Sequence, residues 1–397
     1  MKKTIKIFAL GLLSAALMGC QNEALPVINN MVFISGADNA RVGTVDMSTD
    51  GDTELQFTVR LAKAEDKDIQ VSLSVDPQLL EEYNVKYQGS YKHVDKANIQ
   101  MPVLATIPAG SVNSAPIPIT IKSFETAGAK YAIALKVDSK DAPVAEESSK
   151  FIYYLMKPLK QQVPMWEKAC AAQCIPYTDW GLELMNYTLE WWCRVVPYFT
   201  QKPFYVNNQC IFDNSSDKGT QLYIRFGDLI YGSYDFNYLQ IKTMGSQFDT
   251  GNPADGKGLS PDTWYHFAIT YDGNTGQSIL YQDGQLVATI TTAAGKPMIM
   301  DRLKICQNIY DYVEMCQVRM WKTTRTEAQI NNNMRSEVEY TDPDLVLYLP
   351  MNEGPGARVL KDVANDGEGE IKHSAAFGSH PDVGTNYEAK AWTEWAF

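Results

Sequence analysis

The sequence predicts an all-β protein built as two sandwich domains, and three observations predict it. Apolar residues recur at every second position in short runs along most of the chain, which is the period of a strand with one buried face. Turn formers such as Asp50-Gly51-Asp52, Ala109-Gly110 and Asp283-Gly284 punctuate the runs. The length, 397 residues, exceeds what one hydrophobic core ordinarily supports, and 45% hydrophobic with 11% aromatic residues is the composition of a folded chain.

The chain opens with a leader. Lys2, Lys3 and Lys6 make a positive start, Ile7 to Met18 is apolar but too short to span a bilayer, and Leu17-Met18-Gly19-Cys20 sets small residues ahead of a cysteine. This pattern resembles a bacterial lipoprotein signal, residues 1–19. The resemblance implies cleavage after Gly19 and acylation of Cys20, so that lipid rather than a spanning helix holds the mature chain at an outer membrane, facing the cell surface. An ordinary secretory signal that contains a cysteine is the alternative. Residues 20–30 then read as the lipidated cysteine and a polar tether.

The first sandwich spans 31–157. Leu55, Phe57, Val59 and Leu61 alternate with polar neighbours, as do Ile69, Val71, Leu73 and Val75, and further runs follow at Ile117-Ile119-Ile121, Tyr131 to Val137 and Phe151 to Met156. Only Pro77 to Tyr83 reads as helix. The segment Val71 to Asn84, then Thr106-Ile107-Pro108-Ala109-Gly110 and the Lys130 to Val137 run, resembles the domain of unknown function that opens many Bacteroidetes-type surface lipoproteins of glycan-utilisation systems. That resemblance implies an immunoglobulin-like spacer. Residues 158–167, with two prolines and two glutamines, read as a linker.

From 168 to 397 the strands carry more aromatics. Tyr187, Leu189, Trp191 and Cys193 share one face of a strand, and Thr188, Glu190, Trp192 and Arg194 the other. Asp283-Gly284 predicts a two-residue hairpin. The ordered segments Thr188 to Pro197, Asp262 to Gly273, Leu280 to Gly284, Val318-Arg319-Met320-Trp321, Thr326 to Ile330 and Leu345 to Gly356 resemble a LamG, or concanavalin A-like, jelly roll. The fold expected is thus all-β: an N-terminal immunoglobulin-like β-sandwich followed by a concanavalin A-like jelly-roll β-sandwich. One departure is that Cys316 and Gln317 stand where many LamG domains carry an acidic pair, which lowers the expectation of calcium at that edge.

Charge and cysteines bound the partners. The formal charge of −12 becomes −15 once the three leader lysines are gone, and so acidic a surface excludes nucleic acid as a partner. Without Cys20 six cysteines remain, an even number compatible with disulfides in an exported chain, for which the spacing of Cys306 and Cys316 would suit a hairpin. Buried free thiols fit the apolar patterns around them equally well.

The chemistry expected is binding, not turnover. A glycosidase needs two carboxylates on one cleft, and no strand offers such a pair; Glu337 to Asp342 comes nearest but reads as a solvated acidic turn after a short helix, Thr326 to Met334. The four histidines lack a zinc spacing, and His266 reads as packed beside Trp264. Sugars stack C–H faces on aromatic rings and pair hydroxyls with polar groups. Glu190, Trp192, Arg194, Tyr223, Arg225, Tyr238, Gln240 and Lys242 would make such a surface if their strands are neighbours. Tyr231, Tyr234, Asn237, Tyr310, Asp311 and Tyr312 are rim candidates. Asp213, Asp217, Asp249 and Asp255 are weak calcium candidates, since Asp and Asn are also ordinary turn formers. The function expected is non-catalytic carbohydrate capture at the cell surface, with a polysaccharide or oligosaccharide as partner. The alternatives are an adhesion module of a surface complex and, behind it, an unrecognised glycoside hydrolase.

Overall fold

A computed structural model describes residues 30–37, 40–48, 51–87, 89–167, 172–176, 182–196, 203–214, 220–232, 235–301, 303–364, 373–377 and 389–396. The leader, Cys20 and most of the tether lie outside them, as do Asp217 and Tyr234. No helix among the described residues is long and apolar enough to cross a membrane.

In the N-terminal domain the alternating runs pair as their pattern requires. Ile69–Val75 lies between Tyr131–Asp138 and Leu104–Ile107, and Lys150–Met156 and Val42–Asp46 extend that sheet. The facing layer holds Val32–Ile34 on Val59–Leu61, and Thr53–Phe57 with Ile117–Ile121. Val71, Leu73, Ile119, Ile133 and Leu135 fill the space between the layers. Two pairings are parallel rather than antiparallel: Val42–Asp46 on Lys150–Met156, and Lys92–His93 on Tyr131–Asp138. The helix expected at Pro77 runs on to Tyr87 (α1), starting at a proline whose missing N–H costs nothing in the first turn. Its buried Leu80 rests on Ala132, Ala134 and Ile152, where two alanines let the helix sit close to the sheet.

The segment expected to be a linker is not one. Leu159 is buried in the C-terminal core, and Lys160–Trp166 is a strand paired with Ala391–Ala396 and Tyr312–Trp321. The polar composition that reads as linker is consumed locally: Gln161 donates to the Pro350 carbonyl at 2.8 Å and accepts from Gln317 at 2.7 Å.

The C-terminal domain stacks two eight-stranded sheets. The first runs Gln285–Thr291, Gln277–Gln282, Tyr265–Asp272, Asn186–Val196, Tyr312–Trp321, Lys160–Trp166, Ala391–Ala396, with Leu345–Leu349 also on Tyr312–Trp321. The second runs Ser246–Asp249, Leu239–Thr243, Leu222–Phe226, Gln209–Asp213, Leu303–Asn308, Ala172–Pro176, His373–Phe377, Val359–Lys361. Trp191 of the first sheet meets Phe212 of the second edge-on, with ring centroids 5.0 Å apart. Cys306 and Cys316 are buried on opposite sheets, so the hairpin disulfide does not form; Cys193 and Cys210 are buried as well.

The acidic turn expected to be solvated instead touches the N-terminal domain. Glu339 pairs with Lys92 at 2.5 Å, Glu337 with Lys157 at 3.3 Å, and the Tyr340 N–H donates to the Ala127 carbonyl.

Candidate functional site

The residues expected to form one sugar-facing surface divide between the two sheets. Glu190, Trp192 and Arg194 point outward from the first sheet, but residues 323–338 cover the first two. That segment turns at α2, Glu327–Asn333, where Thr326 and Gln329 form a reciprocal capping box. Arg325, stacked 4.0 Å over Trp321, donates to Glu190 at 2.8 Å, and Trp192 donates its indole N–H to the Met334 carbonyl at 2.7 Å. Arg194 is half-buried against Glu314 and over Trp264. Glu190 and Trp192 are therefore struts under a covering segment and not an open surface; Arg194 serves the same packing.

His266 belongs to this buried cluster, its ring centroid 5.2 Å from that of Trp192, where Trp264 was the neighbour expected. Burial and the Arg319 and Arg325 guanidiniums hold its pKa well below the ordinary value of 6.5. Glu190 lies 3.6 Å away and would favour the charged ring, but its carboxylate is already met by Arg325. Burial therefore wins, and the imidazole is neutral.

The outer face of the second sheet is different. Cross-strand partners share a face, and the register aligns two polar rows. Lys304, Asp213, Tyr223, Lys242 and Gln247 form one. Asn308, Cys210, Arg225, Gln240 and Asp249 form the other. Arg225 is the hub: it donates to Gln240 at 2.9 and 2.7 Å, to Asn208 at 2.6 Å, and pairs with Asp228. Tyr223 adds a hydroxyl bond to Asn208 at 2.9 Å, and Gln240 donates to Asp228 at 2.9 Å. Arg225 and Gln240 are buried, and these bonds fix their donors and acceptors in place. Tyr223 and Lys242 remain half-buried at its surface.

Three loops converge on the Arg225 end. Asn208, held in a left-handed conformation at φ 65°, ends one; Asp228 starts a second by capping the turn Leu229–Tyr231; Asn308 begins a third by bonding the Asn208 carbonyl at 3.1 Å. These loops expose Tyr205, Leu229, Ile230 and Tyr310. Of the other expected residues, Tyr238 is buried with its hydroxyl on the Asp228 carbonyl at 2.7 Å, and Gln240 is buried within the network. Asp311 is buried, accepting from Phe204 N–H at 2.9 Å and Gln209 at 2.7 Å, so it staples two loops rather than facing a ligand. Asn237 is tied to the Leu259 carbonyl and Tyr231 to Asp249.

The calcium candidates among the described residues do not converge. Asp213 faces Lys304 at 3.7 Å, Asp249 accepts from Tyr231 and Gly251 at 2.7 Å, and Asp255 is exposed in the turn Pro253–Asp255. Among the described residues no three His, Cys, Asp or Glu side chains come together as a metal site. Nor does Asp228 suit an acid catalyst. Burial would raise its carboxyl, but the Gln240 and Leu229 hydrogen bonds with the Arg225 and Lys242 charges outweigh that and hold it below its usual range. A glycosidase acid needs the opposite shift.

Asn208, Asp228, Lys304 and Asn308 were not legible as site residues. The one signal available was Asp228, three residues beyond Arg225 and just past a Gly, where a turn returns the chain to its own strand.

Comparison with known proteins agrees with this architecture. The concanavalin A-like lectin/glucanases superfamily model matches residues 174–331. The C-terminal domain is concanavalin A-like. A family model described as an N-terminal domain matches residues 28–144. A proposed carbohydrate-binding protein from Bacteroides ovatus ATCC 8483 superimposes with a TM-score of 0.63 at 20% identity, over 92% of this chain and 97% of that one. Likeness at that identity shows a shared two-domain fold. Bacteroides thetaiotamicron EndoBT-3987, solved with a Man5GlcNAc product, aligns with 32% of this chain and 30% of its own at 16% identity and a TM-score of 0.27. A heptameric SAP-like pentraxin from Limulus polyphemus covers 56% of this chain and 97% of its own, at 13% identity and a TM-score of 0.35. No curated protein matches the sequence.

Proposed function

We propose that the concanavalin A-like domain binds carbohydrate on the outer face of its second sheet, without catalysis. The observation that carries this reading is the Arg225 network: a preorganised set of donors and acceptors on a sheet face whose counterpart on the first sheet is covered. Half-buried Tyr223 and the exposed rim residues Tyr205 and Tyr310 add rings on which a sugar can stack. The leader pattern supports a lipid-anchored protein of the outer membrane that captures glycan outside the cell, with Cys20 as the anchor. A role inside a surface complex is the competing reading, favoured only by the apolar Leu229 and Ile230 beside the same face.

The test uses the mature chain, residues 21–397, in affinity gels containing xylan, mannan, starch or pectin, with and without calcium. Retardation on one of them, lost at least about tenfold in Arg225→Ala and in Lys242→Ala, is the expected result. Binding to none, together with co-purification of a stoichiometric protein partner, would replace the carbohydrate reading with the adhesion one.

A further inference from the structure

The N-terminal domain contains a cleft of about 710 Å³, within the range of about 300–1,000 Å³ found for ligand pockets. It lies between α1 and the start of Val42–Asp46, with Lys150 and Ile152 on its floor.

One wall is aromatic and rigid. Tyr83 and Tyr87, one helical turn apart, hold their ring centroids at 4.6 Å, and Tyr87 is 57% exposed. The array is fixed from behind: the Tyr154 hydroxyl bonds that of Tyr83, and Tyr154 stacks on Tyr91 at 4.5 Å. A ring held this way loses little entropy when a ligand lands on it.

The rest of the lining is charged. Arg41, Lys86 and Lys150 face the cleft with Glu82 and Glu147, a positive balance within a chain of net charge −12. Arg41 and Glu147 are paired with each other, and Lys86 lies 5.1 Å from the Tyr87 ring. Among the described residues neither Lys86 nor Lys150 has a carboxylate within ion-pair distance. Proline-rich peptides also use aromatic-lined grooves, but they supply no anion for these two ammonium groups. A sugar ring with an acidic substituent satisfies both features, its C–H face on tyrosine and its anion on lysine.

We propose that this cleft is a second binding site, for an oligosaccharide bearing a carboxylate or sulfate, with Tyr87 as stacking platform and Lys86 and Lys150 as anion receptors. The domain then contributes affinity of its own, and two sites on one chain raise avidity for a polymer. The proposal stands apart from the second-sheet face.

Titration calorimetry on residues 21–397 carrying Arg225→Ala, which disables that other face, tests it. The probes are oligogalacturonate, a chondroitin sulfate oligosaccharide and neutral xylohexaose. At least one acidic probe binds about tenfold or more tighter than xylohexaose, and which one distinguishes carboxylate from sulfate. Tyr87→Ala weakens it about tenfold while Tyr87→Trp retains it, and Lys150→Gln weakens it and flattens its salt dependence. Tyr87 and Lys150 are at the surface, so these variants fold. The proposal falls if neither acidic probe binds, if binding ignores both substitutions, or if a proline-rich peptide binds through Tyr87 instead. Loss of glycan binding through Arg225→Ala alone would leave the second-sheet reading intact and sink only this one.

Discussion

Glu190, His266 and Arg325 meet in a buried cluster where a charge is tolerated only when paired. Arg325 neutralises Glu190, while Glu190 Oε2 and His266 Nδ1 have no hydrogen-bond partner. The neutral imidazole carries a consequence for acid stability. Its folded pKa lies well below 6.5, so below that value the unfolded chain takes up a proton that the folded chain refuses. Stability therefore falls as pH drops through 6.5. The carboxyls of Asp283 and Glu353, raised by burial, act in the opposite sense, since the folded state holds their protons more tightly. Urea unfolding at pH 7.5 and pH 5 should thus show a smaller loss in His266→Gln than in the parent; equal losses would contradict the assignment of a neutral buried ring. At the same scale, the outward residues of two strands had equal sequence signals. Trp192 and Tyr223 both lie on a polar strand face, and no local pattern says that one is covered by a segment some 140 residues later.

Among the elements, the Asp283-Gly284 hairpin formed as its sequence demands, with φ 50° and 75°. What the local signal does not show is a second task. Asn331 of α2 donates to the Gly284 carbonyl at 2.8 Å, so the hairpin helps seat the segment that covers Glu190. A Cβ at Gly284 would overlap the Asn331 side chain, whereas one at Gly295, φ 74°, would meet nothing within 4 Å. Gly295→Ala should cost about 1 kcal/mol from backbone strain alone. Gly284→Ala should cost roughly 1–2 kcal/mol more, recovered in part by Asn331→Ala. Equal melting temperatures for the two glycine variants would refute the seating role. The strand at Lys160–Trp166 was missed for a related reason: two glutamines and two prolines look like a tether until a C-terminal strand arrives beside them.

For the whole molecule, the absence of a flexible linker joins with the contact at residues 337–340. Leu159 sits in the C-terminal core three residues after the last N-terminal strand, and Gly128, φ 73°, packs against the Val338 carbonyl. Any side chain at 128 collides with backbone that has no rotamer to yield. Gly128→Ala is expected to open the contact, raising the radius of gyration in solution scattering and splitting one calorimetric transition into two. An unchanged profile would mean that the contact contributes nothing to coupling. If the coupling holds, the N-terminal cleft and the second-sheet face keep a fixed spacing, the condition for both to engage one polymer.

The sequence by itself determined the all-β class, the two sandwiches and the concanavalin A-like identity of the second, because period-two hydrophobicity, turn residues and the short capped helix are local properties. It also put Arg225 and Gln240 on polar strand faces, and the structure made them cross-strand neighbours. Only the tertiary structure decided that the polar face of the first sheet is covered, since that depends on where residues 323–338 and 391–396 return in space. Long-range return leaves no periodic trace. The burial of Glu190 and the aromatic wall above the N-terminal cleft, which joins Tyr83 and Tyr87 of α1 with Tyr91 and with Tyr154 of strand 150–156, appear only once the chain is folded.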